Sequence, residues 1–236
     1  MKETQKKDIT TQPAQAAGEN KMGILPIRPL LLSMAWPAIL SMTISALYNI
    51  VDSIFVAKLS EDALTAVSIV NPIQMLIIAL SVGSGVGINS LIARRLGAHR
   101  QEEADQAAST GLRIGVFNYL VFLLIGVCFT GIFVSGYAEK GNEIYAQAVI
   151  YMQIVCIGSF FLNMQVVFEK ILQSTGNMIA PMICSLTGAV INIILDPILI
   201  FGLLGAPRLE VAGAAIATIT GQLFGMLVGA FIIFKG

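Results

Sequence analysis

The sequence predicts an all-α, polytopic membrane protein with six transmembrane helices. Hydrophobic residues make up 56% of the 236 residues and charged residues only 12%, whereas a soluble domain carries about 25% charged residues. The apolar residues also fall into six runs, each near or above the roughly 20 residues that cross a bilayer core as a helix. We therefore expect a multi-pass protein embedded in a lipid bilayer.

The six predicted spans follow a polar lead-in. Residues 1–28 lack the apolar content of a packed core, which predicts a disordered cytoplasmic tail, and no signal-peptide pattern follows the basic start. Residues 29–236 are expected to form one six-helix lobe. Pro37 lies inside the first span, where proline removes a helical hydrogen bond and predicts a hinge. The spans are 29–57, 63–93, 107–135, 144–168, 179–204 and 211–234.

The distribution of Lys and Arg predicts the orientation. Eleven of these residues fall in the tail, in the second and fourth connections with the adjacent helix ends, and at Lys235, and three fall on the other side. Cytoplasmic loops carry the excess of positive charge. Both termini are therefore expected to be cytoplasmic, in the cell membrane, as an even number of spans requires.

Several classes of function are not indicated. The net charge is zero, the three cysteines lie inside apolar runs without metal-ligand spacing, and His99 lies in a basic loop. We expect no metal cofactor and no nucleic-acid partner. The sequence has no phosphate-binding loop, and no histidine lies in a span to activate Ser84 as a nucleophile. The aspartates also lack the motifs of intramembrane aspartyl proteases, so no enzyme is predicted.

Three acidic residues lie inside the spans and are the candidate functional groups. Asp196 lies in the fifth span, one helical turn after Asn192 and directly before Pro197. Inserting a charge into hydrocarbon costs roughly 2.5–3.5 kcal/mol, so an ionisable residue there indicates a functional site. A structural, paired aspartate is the alternative.

Asp52 and Glu169 are the other two acids. Ser41, Ser45, Tyr48 and Asp52 recur at spacings of four, three and four, which places them on one helix face. That stripe is expected to face protein or a water-filled cavity, with Ser45 and Tyr48 as candidate cavity residues. Glu169 lies near the end of the fourth span. For both acids the alternative is an interfacial position.

A buried carboxylate whose exposure changes can load and release H⁺ or Na⁺, which is the chemistry of ion-coupled transport. The spans also contain glycines at four-residue spacing, Gly221, Gly225 and Gly229 in the sixth and Gly111 and Gly115 in the third. Such glycines let helices approach closely. Packing within the chain and dimerisation are the two alternatives.

The ordered motifs of residues 25–236 resemble the N-terminal half of a MATE (multidrug and toxic compound extrusion) transporter. Each motif is weak alone, but their order is specific. They are Tyr48-Asn49-Ile50-Val51-Asp52-Ser53, Ala63-Leu64-Thr65-Ala66-Val67, Ile92-Ala93-Arg94-Arg95-Leu96-Gly97, Leu172-Gln173-Ser174-Thr175-Gly176-Asn177, Asn192-Ile193-Ile194-Leu195-Asp196-Pro197 and Gly213-Ala214-Ala215-Ile216-Ala217-Thr218.

The resemblance implies two six-helix lobes around a cavity and export of cationic or amphipathic drugs against an inward H⁺ or Na⁺ flow. It implies a cation site at Asp52, Asn192, Asp196 and Thr218. Glu169 falls where the family has an asparagine, a departure that would add a third carboxylate. No cofactor beyond the coupling ion is implied, and Na⁺ is the one metal ion that the site is expected to bind.

The family carries about twelve spans, so a second six-helix lobe or a homodimer partner is expected. Two other interpretations remain open: a lipid or lipid-linked oligosaccharide flippase of the same superfamily, and a truncated half that does not transport.

Overall fold

The computed structural model describes residues 26–235, except for the side chain of Leu30, so the predicted tail before Pro26 lies outside the described residues. The described chain is helical, without strands. Six of its helices are long and apolar enough to cross a membrane, which confirms the predicted number of spans. The helices are α1 (Ile27–Leu59), α2 (Glu61–Gly97), α3 (Gln101–Cys128), α4 (Thr130–Ser135), α5 (Glu143–Ser174), α6 (Ile179–Phe201) and α7 (Glu210–Lys235).

Several helices extend a few residues beyond the predicted spans, and two of the predicted spans are interrupted or end early. The third predicted span is split at Phe129 into α3 and the short helix α4. The fifth predicted span ends at Phe201, because Gly202 adopts a left-handed backbone with φ of 75° and a 3₁₀ turn, Leu203–Gly205, follows. The first helix remains α-helical through Pro37.

Helix α5 is the centre of the lobe and packs on α2, α3, α6 and α7. Helices α6 and α7 form the most extensive helix pair, and α1 packs mainly on α6. The spaced glycines pack within the chain, which was one of the two alternatives. A Cβ atom at Gly225 would lie 2.7 Å from the Gln165 side chain, and one at Gly115 would lie 2.6 Å from Met164.

Two apolar clusters fill the interior. The larger one, around Tyr151, Phe122 and Ile200, lies at the end of the lobe that carries the 60–61 and 202–209 connections. The smaller one, around Ile88 and Ile92, lies at the opposite end. Many large apolar side chains are exposed on the outside, as expected where lipid replaces water. Buried polar side chains lie between the clusters and form the candidate site.

Candidate functional site

Asp196, Asn192 and the half-buried Thr218 form a polar group where α6 meets α7. Asp196 is 0% exposed and Asn192 is 2% exposed. The four-residue spacing places both on one face of α6. Asn192 Nδ2 lies 3.4 Å from Asp196 Oδ1 and 3.3 Å from Thr218 Oγ1. The structure thus brings together three of the predicted cation-site residues.

The Asn192 amide is better satisfied with its oxygen and nitrogen exchanged. The nitrogen then donates to Asp196 Oδ2 at 3.2 Å, and the oxygen accepts from the Thr218 hydroxyl at 3.3 Å and from the Thr218 backbone N–H at 3.2 Å. Asn192 therefore connects the carboxylate on α6 to the backbone and side chain of α7.

A close approach of two glycines makes this contact between helices feasible. A Cβ atom at Gly221 would lie 2.6 Å from the Gly188 carbonyl oxygen, and one at Gly188 would lie 3.0 Å from the Gly221 carbonyl oxygen. Any side chain at Gly221 would therefore separate α6 from α7. Gly188 lies one turn before Asn192, and Gly221 lies close to Thr218 on α7, so the glycines set the distance that Asn192 must span.

Asp52 approaches this group from α1. Its carboxylate is close enough to Asp196 for the two charges to interact. The hydroxyl groups of Tyr48 and Tyr151 are close enough to interact with both aspartates. Asp52 Oδ1 is buried and has no hydrogen-bond partner among the described residues. A proton, a water molecule or a small cation would satisfy an acceptor in that state.

Glu169 lies apart from the two aspartates. Its Oε1 accepts hydrogen bonds from Gln165 Nε2 at 2.9 Å and from Ser185 Oγ at 3.1 Å. Ser185 and Asp196 are eleven residues apart on α6, which is about 16 Å along the helix axis. In the part of the chain that the structure describes, no three His, Cys, Asp or Glu side chains form a group that could hold a metal ion. The third carboxylate does not join the aspartate pair.

A cavity with a mainly apolar surface and several polar side chains in its wall connects the two regions. Its volume is about 290 Å³, and both Glu169 and the pair Asn192 and Thr218 line it. Ser45 and Tyr48, the predicted cavity residues, also line it, as does Asn49. Asp52 and Asp196 are not among its lining residues.

The sequence did not single out several polar residues of the site. Ser185 and Gln222 line the cavity, and Gln74 Nε2 donates to the buried Tyr151 hydroxyl at 3.2 Å. Helical spacing gives a signal for the first two, because Ser185 precedes Asn192 by seven residues and Gln222 follows Thr218 by four. The pair Gln74 and Tyr151 joins α2 to α5 and has no comparable signal.

Comparison with known proteins settles the family. The MatE family model matches residues 37–198. The chain belongs to the MATE family. This family consists of membrane transporters rather than enzymes, so the predictions of a MATE-type, multi-pass, non-enzymatic protein are confirmed.

Named relatives agree with this assignment. The chain is 29% identical over 222 residues to an FAD transporter of Shewanella oneidensis, covering 91% of this chain and 48% of that protein. It is 30% identical over 193 residues to a probable multidrug resistance protein, YoeA, of Bacillus subtilis, covering 81% and 42%.

A solved structure of a multidrug resistance MATE family transporter in an outward-facing conformation matches with a TM-score of 0.80 at 32% identity. The match covers 87% of this chain and 44% of that one. The chain thus spans less than half the length of each of these three relatives.

Proposed function

We propose that this chain is the N-terminal lobe of a transporter that exports cationic or amphipathic compounds in exchange for an inward flow of H⁺ or Na⁺. Asp196 and Asp52 are the coupling carboxylates, and Asn192 and Thr218 orient Asp196. The buried, unpartnered Oδ1 of Asp52 beside the fully buried Asp196 is the observation that carries this proposal. It marks a position that a coupling ion would satisfy.

The coupling ion supplies the energy for export. A charge that crosses the membrane potential supplies about 2.3 kcal/mol per 100 mV. For an uncharged cargo, one such ion sustains a concentration ratio of about fiftyfold at 100 mV, because about 1.4 kcal/mol corresponds to a factor of ten. A monovalent cargo cation that leaves against the same potential offsets the contribution of one ion, so two ions per cargo cation are needed for the same ratio.

The cavity chemistry favours a cationic cargo over an anionic one. Glu169 is the one charged residue among the cavity's lining residues, and no Lys or Arg lines this cavity in the described chain. A lipid or oligosaccharide diphosphate would meet a negative charge there, as would the anionic diphosphate of FAD, which is named as the cargo of one relative. The flippase alternative is thus disfavoured.

Helix α1 is the element that changes position in this proposal. Ion binding between Asp52 and Asp196 draws α1 toward α6, with Pro37 as the hinge, and alters the cavity wall formed by Ser45 and Tyr48. The second six-helix lobe, or a second copy of this chain, supplies the opposite wall of the substrate path. Both termini lie in the cytoplasm in this arrangement.

Ethidium efflux tests the proposal. Cells expressing the 236-residue chain are loaded with ethidium, and an inward pH gradient and an inward Na⁺ gradient are imposed in turn. Efflux should follow one gradient, which names the ion, and Asp196→Asn should abolish it. Asp105→Asn, the same change at an exposed position on α3, is the matched control and should export at the parental rate.

One result would contradict the coupling site and another would exclude one form of the assembly. Parental efflux by Asp196→Asn would remove Asp196 from the coupling site. A stably expressed parent that exports nothing under either gradient would contradict transport by paired copies of this chain.

A further inference from the structure

A second, much smaller cavity lies between α2, α5 and α7, and we name it the α2–α5–α7 recess. Its volume is about 30 Å³, and it shares Thr218 and Gln222 with the wall of the larger cavity. Its other polar lining residues are Gln74 on α2 and Ser159 on α5. The rest of its lining is apolar and consists of Ile77, Ile78, Val155, Leu162 and Ile219. Because Thr218 also contacts Asn192, the recess lies directly beside the candidate coupling site.

The polar groups of the recess have unused hydrogen-bonding capacity. Gln74 Nε2 donates to the Tyr151 hydroxyl at 3.2 Å, but no described side chain donates to Gln74 Oε1. The Gln222 amide forms no hydrogen bond with any other described residue. Ser159 Oγ donates to the Cys156 carbonyl oxygen at 2.7 Å, which leaves its own lone pairs able to accept. The recess therefore offers both donors and acceptors to a small polar ligand.

The size and chemistry of the recess fit water. A cavity holds water when its volume reaches about 10–15 Å³ and roughly two to four polar groups surround it, whereas cavities that stay empty are apolar. A volume of about 30 Å³ with four polar lining side chains meets both conditions. An organic ligand needs roughly 300 Å³ or more. A bare cation would need a charged partner, and no carboxylate lines the recess in the described chain.

We propose that the α2–α5–α7 recess binds ordered water that connects Gln74 on α2 to Thr218 on α7. Water that donates to Thr218 Oγ1 directs the hydrogen of that hydroxyl toward Asn192. The Asn192 oxygen then faces Thr218 and its nitrogen faces Asp196, which is the orientation that satisfies both groups. Since α2 and α7 make few direct contacts, the water supplies the connection between them. Gln74 and Ser159 become positioning residues, and this role, unlike the water itself, rests on the proposed function.

Hydroxyl-radical footprinting tests for the water directly. X-ray irradiation of the full 236-residue chain in detergent generates radicals from bound water, and peptide mass spectrometry identifies the side chains that they oxidise. Ile77 lines the recess and Ile200 does not, although the two are equally buried, at 1% and 0% exposed. Oxidation of Ile77 should exceed that of Ile200 by about fivefold or more. Equal, background oxidation of both isoleucines would overturn the proposal.

A matched pair of serine variants tests whether the recess holds this water. Ser159 and Ser174 are both buried on α5, and each donates to the carbonyl oxygen three residues earlier, at 2.7 Å and 2.6 Å. Ser159→Val replaces a recess hydroxyl with methyl groups, so oxidation of Ile77 should fall by about fivefold. Ser174→Val should leave it unchanged. Undiminished oxidation of Ile77 in folded Ser159→Val would overturn the proposal. If that variant does not fold, Gln74→Leu removes a different polar partner and makes the same test.

Ion-driven efflux tests the connection to the coupling site. Ser159→Val should raise the ion concentration for half-maximal efflux by about fivefold, since one hydrogen bond in the chain that orients Asn192 is lost. Its maximal rate should stay near that of the parent, whereas a general structural defect would lower the maximal rate. Ser174→Val should match the parent in both quantities. An unchanged half-maximal concentration in Ser159→Val would overturn the positioning role.

The water site and the proposed function can fail independently. Strong oxidation of Ile77 in a parent that exports nothing would support the water site and contradict transport by this chain. Background oxidation of Ile77, together with efflux that Asp196→Asn abolishes, would overturn the water site and support the coupling site.

Discussion

Asp196 and Glu169, two carboxylates near different ends of the cavity, differ in their burial and in their hydrogen-bond partners. Asp196 is fully buried, is bonded through Asn192 to α7, and is absent from the cavity lining. Glu169 lies in the cavity wall with one oxygen bound by Gln165 and Ser185. A small ion can reach a closed pair of aspartates, whereas an organic cation needs an open wall. The two carboxylates therefore differ in their surroundings rather than in their chemical type.

The largest effect is expected where the helix pair that holds Asp196 is forced apart. Gly221→Val places side-chain atoms against the Gly188 carbonyl, because even a Cβ atom there would lie 2.6 Å from that oxygen. Overpacking of this kind costs about 3 kcal/mol. Thermal unfolding in detergent should show a clear loss of stability and efflux should stop. Gly87→Val, at a position with nothing within 4 Å of an added Cβ, is the control.

A stable Gly221→Val protein with normal efflux would show that the glycine contact does not set the distance between Asn192 and Thr218.

A smaller effect is expected when the link between Asp196 and α7 is removed. Asn192→Leu leaves the buried carboxylate and the Thr218 hydroxyl without their shared partner, at a cost of about 2 kcal/mol. Ion-driven efflux should fall strongly, because the buried carboxylate loses the amide that connects it to α7.

Asn118→Leu is the matched control, since Asn118 donates to Ser84 at 3.2 Å elsewhere in the lobe. Equal loss of efflux in both leucine variants would contradict a specific role for Asn192. The surroundings of Asp196 would then have no special importance for efflux.

The smallest effect is expected at the other end of the cavity. Ser185→Ala removes one of the two donors to Glu169 Oε1 but leaves the charge in place, a change worth about 1 kcal/mol. Ethidium binding should change by less than about fivefold. Ser68→Ala, which removes a hydroxyl that donates to Leu64 of its own helix, should have no effect. If Ser185→Ala weakened binding as much as Glu169→Gln, the variant that removes the charge, the orientation of Glu169 rather than its charge would govern ethidium binding.

Much of the fold could be predicted from the sequence. Long apolar runs have one stable conformation in lipid, so the number of spans and the shared face of Asn192 and Asp196 followed from composition and helical period. The break at Phe129 could not be predicted, because the run from 107 to 135 stays apolar across it. Thr218 entered by family resemblance alone, and its contact with Asn192 depends on how closely α6 and α7 approach.

The position of Glu169 shows that residue spacing within one helix does not predict contacts between two helices. Helices α5 and α6 are antiparallel and joined by a short turn, so residues equally far from that turn lie side by side. Glu169 lies five residues before the end of α5, and Ser185 lies six residues after the start of α6. Counting from the turn therefore pairs Glu169 with Ser185 and leaves Asp196 more than two helical turns away.

The weak packing of α1 has a thermodynamic consequence. Of its described side chains, only Pro37 and Val56 are buried, yet this helix supplies Asp52 and the cavity residues Ser45 and Tyr48. When a binding site is divided between a loosely packed helix and a firmly packed bundle, ion binding stabilises docking of the helix on the bundle. Docking of the helix then strengthens ion binding by the same free energy. Ions would then slow hydrogen exchange along α1 more than along α5. The single tryptophan, Trp36, lies next to Pro37 and would report that docking by its fluorescence.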